Sequence, residues 1–205
     1  MKETLYDWGG VNVWLFHAIN NVRGDLLDRF MLLGTALGNH ANFPLNLAFT
    51  ALAGWMLCAR KRESEPTEAL RWLCVLTVFS VAYVLDGWLL GWLKPLLDFP
   101  RPLLALPLHS VHVLGMPEYH HSLPSGHSSF AMLVVASLWP LLQGWKRLLG
   151  AACVLWVGIS RVSVGAHFPA DVVAGFLLSL LLVVLVRWVM TGYVRIWPAR
   201  QESNL

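Results

Sequence analysis

Charge is what this chain has least of: 13% of its 205 residues are Asp, Glu, Lys or Arg, while 57% are hydrophobic. So little polar surface cannot cover a water-soluble globule, which points instead to an integral membrane protein. Cysteine is scarce as well. Cys58, Cys74 and Cys153 lie inside apolar runs with no CxxC spacing, so they read as small core residues and not as disulfides or metal ligands. Eight histidines are present, but none stands at HExxH or HxxxH spacing on a helix, and neither a metal site nor a cofactor is expected. Internal repeats and low-complexity tracts are missing too. Glu3 and Asp7 interrupt the N-terminus where a continuous apolar region should be, so no cleavable signal peptide is expected. The net charge of +3 forms no basic patch, because Lys and Arg are scattered at the ends of apolar runs. That distribution suits membrane orientation and speaks against a nucleic-acid partner.

What the chain does have is a succession of apolar runs. Val11 to Ile19 and Phe30 to Leu37 each fall short of the roughly 20 residues a bilayer needs, so residues 1–41 are expected to form two short interfacial helices. The alternative makes Leu26 to Leu37 the first part of a kinked span. Further spans are expected over Phe43 to Ala59, Leu70 to Leu93, Ser125 to Leu142, Leu148 to about Val164, and Ala170 to about Met190. The expected fold class is all-α, a polytopic membrane bundle of about five to six transmembrane helices. Residues 42–192 form its transmembrane domain and residues 193–205 a cytoplasmic tail. Arg60, Lys61, Arg62, Arg71, Lys146, Arg147, Arg187, Arg195 and Arg200 fall on one face, which the positive-inside tendency makes cytoplasmic. Residues 94–124 and 163–168 then share the opposite face.

Three clusters of polar residues reach that outer face. Lys94 and Arg101 emerge where Pro95, Pro100 and Pro102 stop a span; the bland alternative is snorkelling anchors, although Lys and Arg in excess belong on the other side. Ser125, Gly126 and His127 open the next span, with Ser125 a good N-cap and Gly126 leaving the first turn's N–H groups open to an anion. The plain alternative there is a cap beside a surface histidine. Arg161, His167 and Asp171 flank Pro169 at a later helix start. Asp171 either orients the His167 imidazole or simply complements the helix dipole. Asp86 lies eight residues before Lys94, about 12 Å deeper at helical rise, and either pairs with a cation or faces a polar crevice.

Together the clusters present three cations, a helix N-terminus and two histidines, a set suited to the phosphate group of a lipid. His167 is placed to attack phosphorus and His127 to give a proton to the departing oxygen. Lys94, Arg101, Ser125, Gly126 and Arg161 are placed to neutralise the phosphate without a metal.

Lys94-x6-Arg101-Pro102, then Pro124-Ser125-Gly126-His127, then Ser160-Arg161-x5-His167-x3-Asp171 resembles the three-part signature of the type 2 phosphatidic acid phosphatase (PAP2) superfamily. That resemblance implies a helical catalytic core, a phosphohistidine on His167, leaving-group protonation by His127 and no required metal. It also implies a lipid phosphate substrate such as undecaprenyl diphosphate, phosphatidylglycerophosphate, phosphatidic acid or a lipid A phosphate. The expected setting is the bacterial inner membrane with the site on its periplasmic face. Two alternatives stay open: a lipid phosphotransferase of the same fold, and a non-catalytic protein that binds or transports anionic lipid.

Overall fold

A computed structural model describes residues 6–60, 66–107 and 109–202. Lys2, Lys61 and Arg62 lie outside the described residues, as do the side chains of Arg60, Arg195 and Arg200. Among the described residues eight α-helices follow in chain order: α1 (Val11–Asn20), α2 (Asp25–Leu37), α3 (Phe43–Arg60), α4 (Pro66–Leu97), the single turn α5 (Pro102–Ala105), α6 (Gly126–Leu138), α7 (Trp145–Ser163) and α8 (Pro169–Glu202). Among the described residues three segments are long and apolar enough to cross a membrane: His40–Ala59, Thr67–Ala105 and Pro169–Gly192. The all-α membrane bundle expected from the sequence is what the chain forms.

Helix α6 is shorter than its apolar run, ending at Leu138 and not Leu142. Pro140 explains the stop, since it has no backbone N–H to donate to the Ala136 carbonyl four residues back. The freed carbonyls of that end are met by cations: Arg187 donates to Ala136 O (3.0 Å) and Ser137 O (3.1 Å), and Arg71 donates to Pro140 O. Positive side chains at a helix C-terminus also complement its dipole.

Two apolar clusters hold the bundle. The larger joins α4, α6 and α8 through Val78, Phe79, Ala82, Phe130, Leu133, Ala136, Val183 and Val186. The smaller joins α1 to the α7–α8 junction through Phe16, Val162, Phe168 and Val172. Outside, Leu45, Phe49, Val84 and Leu181 stay exposed, as a lipid-facing surface requires.

Helix α1 does more than lie at an interface. Asn12, Phe16 and Asn20 recur every four residues, so they share one face, and all three are buried. The asparagines tolerate burial because each satisfies backbone groups. Asn12 donates to Tyr6 O (3.1 Å) and accepts from Ala170 N (3.0 Å). Asn20 donates to His112 O (2.8 Å) and Ser163 O (2.9 Å). The N-terminal segment is thereby pinned across the junction between α7 and α8.

Candidate active site

Helix α4 ends at Leu97, and the chain then turns so that α5 starts immediately after Arg101. Arg101 is 6% exposed, and its donors are spread over several acceptors. Nε reaches His120 O (2.9 Å), one terminal nitrogen reaches Ala166 O (3.1 Å), and the other pairs with Glu118 (2.5 Å). The same nitrogen that bonds Ala166 lies 3.2 Å from His167 Nε2.

That last contact settles the histidine tautomer. Arginine has donors only, so His167 Nε2 must accept, and the ring proton then sits on Nδ1. Nδ1 faces Asp171 Oδ2 at 3.4 Å, the carboxylate that the sequence places one turn away. His167 is therefore an imidazole with its Nε2 lone pair toward the arginine and its N–H toward a carboxylate. The ring is fully buried, and that burial lowers its pKa to about 3 against the opposing pull of Asp171, so it stays neutral across ordinary working pH.

Asp171 is itself held on both oxygens. Ser122 donates to Oδ2 (2.5 Å), the Phe168 amide donates to Oδ2 (2.9 Å), and Tyr6 donates to Oδ1 (2.7 Å). Burial and the neighbouring Asp171 charge push the Tyr6 phenol well above its usual pKa, so it acts as a donor. Its ring stacks on Phe99 at 4.5 Å.

Ser125 caps α6, its hydroxyl accepting from Ser128 N (3.5 Å) and its own amide donating to Asp171 O (2.9 Å). Gly175 lets α8 come against this cap, because a Cβ there would strike the Ser125 carbonyl and stand 3.1 Å from Ser129 N. His127 follows in the first turn. Arg161, 5% exposed near the end of α7, reaches Thr35 Oγ1 (3.5 Å), and its buried Nε has no partner among the described residues.

A cavity of about 520 Å³ collects these groups: Lys94, Arg101, Gly126, His127, Arg161 and His167 line it, with Glu118, His121 and His40. Both imidazoles singled out from the sequence thus open on one space. Ser125 and Asp171 stand behind it, Ser125 turned to the helix cap and Asp171 to the His167 ring. Sequence reasoning missed Tyr6, Ser122 and His40. Asp86 resolves as a buried acceptor for Ser129 (2.6 Å), Ser179 (2.9 Å) and His40 (3.1 Å).

Comparison with known proteins bears on this geometry. The sequence profile of the family described as "PAP2 superfamily" matches residues 75–195. A lipid A 1-phosphatase of Rhizobium johnstonii is 32% identical over 137 residues, covering 63% of this chain and 52% of the relative. An undecaprenyl-diphosphatase of Sulfolobus acidocaldarius is 27% identical over 170 residues, covering 83% of this chain and 74% of the relative. The crystal structure of Aquifex aeolicus LpxE superposes with a TM-score of 0.69 at 27% identity, over 86% of this chain and 94% of that one. The chain spans about half the length of the Rhizobium relatives it matches.

Proposed function

The chain belongs to the PAP2 superfamily, and from that premise we propose that it is a lipid phosphatase of a bacterial inner membrane. It would remove the terminal phosphate of a lipid phosphate or diphosphate at the periplasmic face. The observation that carries this reading is the shared cavity, in which a neutral, carboxylate-backed His167 faces Arg101 and shares the space with His127, Lys94 and Arg161.

The chemistry follows from those positions. A bound phosphate takes over the Arg101 donor now resting on His167 Nε2, because a charged acceptor binds guanidinium more strongly than a neutral ring nitrogen. The freed lone pair attacks phosphorus. As the N–P bond forms, the P–O bond to the lipid breaks, its electron pair stays on oxygen, and His127 supplies the proton. Asp171 stabilises the positive charge that develops on the His167 ring. Water then attacks phosphorus, giving a proton to His127, as the N–P bond breaks with its electron pair returning to His167 Nε2, and inorganic phosphate leaves. Lys94, Arg101 and Arg161 neutralise the phosphoryl oxygens throughout, which is the charge stabilisation this transfer mainly demands.

The names of the relatives support lipid phosphates as the substrate class. The test is phosphate release by purified protein from a panel of phospholipid monophosphates and isoprenoid diphosphates in EDTA. Wild-type protein should release phosphate and form an acid-labile phosphoprotein, and His167→Ala should do neither. Intact cellular function in His167→Ala would overturn the proposal in favour of a lipid-binding protein, and acid-stable phosphate appearing on an acceptor lipid would make the enzyme a transferase.

A further inference from the structure

A second imidazole–carboxylate pair opens on the same cavity and takes no part in the chemistry above. His40 stands in a 3-10 turn, His40–Asn42, between α2 and α3, and its Nε2 lies 3.1 Å from Asp86 Oδ2. Asp86 is completely buried inside α4, with its other oxygen held by Ser129 and Ser179. The histidine is not sealed in. Its side chain is 28% exposed and lines the cavity beside Gly87, Leu90, Gly91 and His127. Its Cε1 and Nδ1 edge faces the first turn of α6, 3.6 and 3.9 Å from where a Cβ on Gly126 would stand.

A fully buried carboxylate in a membrane helix is costly and marks function by default. Tying α4 to α6 and α8 explains the two serines, but it does not call for an ionisable ring that opens on to the cavity. The position of that ring is informative. The turn leading to His40 lies against His127, since a Cβ on Gly38 would stand 3.1 Å from the His127 Cβ. His127 is the proposed acid for the leaving group. The leaving group is also the half of the substrate that keeps its tails, so it lies on the membrane side, and Asp86 is two helical turns deeper than Lys94. Nε2 is taken up by the carboxylate, so Nδ1 is the ring nitrogen left to meet an oxygen in the cavity.

Resting on the phosphatase reading, we propose that His40, backed by Asp86, binds an anionic oxygen on the leaving group, namely the phosphate that stays on the lipid when a diphosphate is cleaved. The charges in the cavity agree. Lys94, Arg101 and Arg161 against Glu118 leave two net positive charges, a match for the roughly −2 of a phosphate monoester. A diphosphate brings a second phosphate, and His40 lines the cavity beside the His127 that is proposed to protonate the oxygen joining the two. The inferred substrate class is thus lipid diphosphates ahead of lipid monophosphates.

The test uses a matched pair with identical tails, diacylglycerol diphosphate and phosphatidic acid, and compares kcat/KM for wild type, His40→Gln and Asp86→Asn in mixed micelles. A charge-assisted hydrogen bond of the usual strength predicts a loss of about tenfold or more on the diphosphate in His40→Gln, with less than about threefold on the monophosphate. Asp86→Asn should shift the ratio in the same direction. If Asp86→Asn fails to fold, His40→Gln alone decides. Equal losses on both lipids, no loss on either, or wild-type protein that cleaves only the monophosphate would overturn the inference while leaving the phosphatase standing. Wild-type protein that cleaves neither lipid, nor any other in the panel, would overturn the phosphatase reading and this one with it.

Discussion

At Asp171 several hydrogen-bond donors meet one carboxylate: the Tyr6 hydroxyl, the Ser122 hydroxyl, the Phe168 amide and the His167 ring. Each fixes the carboxylate a little more firmly beneath the imidazole it orients. Removing one such bond to a charged group is worth about 1.5–3 kcal/mol, so Tyr6→Phe should lower kcat by roughly tenfold or more. KM should stay close to wild type, because the phenol touches no substrate. Parallel rises in KM and losses in thermal stability would mark Tyr6 as structural only. A second expectation concerns protonation. A cationic acid whose pKa is lowered takes up its proton only as pH falls through the lowered value, here about 3 and not 6.5. Histidine 15N NMR of the substrate-free protein should therefore show His167 neutral down to pH 5. A resonance that titrates near neutrality and vanishes in His167→Gln would contradict it. None of Tyr6, Ser122 or His40 was legible beforehand. They stand far from the residues they touch, and tyrosine, serine and a lone histidine have many uses, so only the fold reveals their partners.

Among the elements, α6 and α8 set the precision of the site, because the first turn of α6 carries His127 and the start of α8 carries Asp171. Gly175 allows their close approach at the Ser125 carbonyl. Gly175→Ala should force the two apart, lowering stability by about 1–3 kcal/mol. It should also reduce kcat, since a displaced first turn moves His127 from the leaving-group oxygen that it is proposed to protonate. Thermal melting and phosphate release check the two together, and an alanine variant with wild-type values would show that the helices have room to give. The apolar runs announced these helices, and Pro140 in the sequence marks where α6 stops short of its run. The pairing of α1 with the α7–α8 junction was less readable. Its buried face is two asparagines and one phenylalanine, a pattern that earns burial only through the backbone groups it satisfies.

For the whole molecule, orientation is the testable property. The cavity residues gather at one end, while Arg71 and Arg187 close the far end of α6. Single cysteines report on this in a background with Cys58, Cys74 and Cys153 replaced by alanine. Met116→Cys, at a position 91% exposed, should react with a membrane-impermeant maleimide in intact cells, and Lys146→Cys only after permeabilisation. The reverse pattern would place the site in the cytoplasm. The three motifs made the composition of the cavity legible because family-like spacing fixes which helix ends carry charge. What they did not carry was the second pair, His40 with Asp86, whose histidine stands in a turn outside all three motifs.

The bond between Tyr6 and Asp171 joins positions 165 residues apart in the chain. A ribosome adds about 5–20 residues each second, so the first partner waits several seconds or more for the second to be synthesised. Until α8 is threaded into the bilayer, the nascent polypeptide has a tyrosine with no carboxylate to hold, and the proposed nucleophile His167 has no Asp171 behind it. On the proposed reading, activity therefore arrives as one late event at the end of biosynthesis, and an incompletely inserted chain would be inert toward the lipids around it.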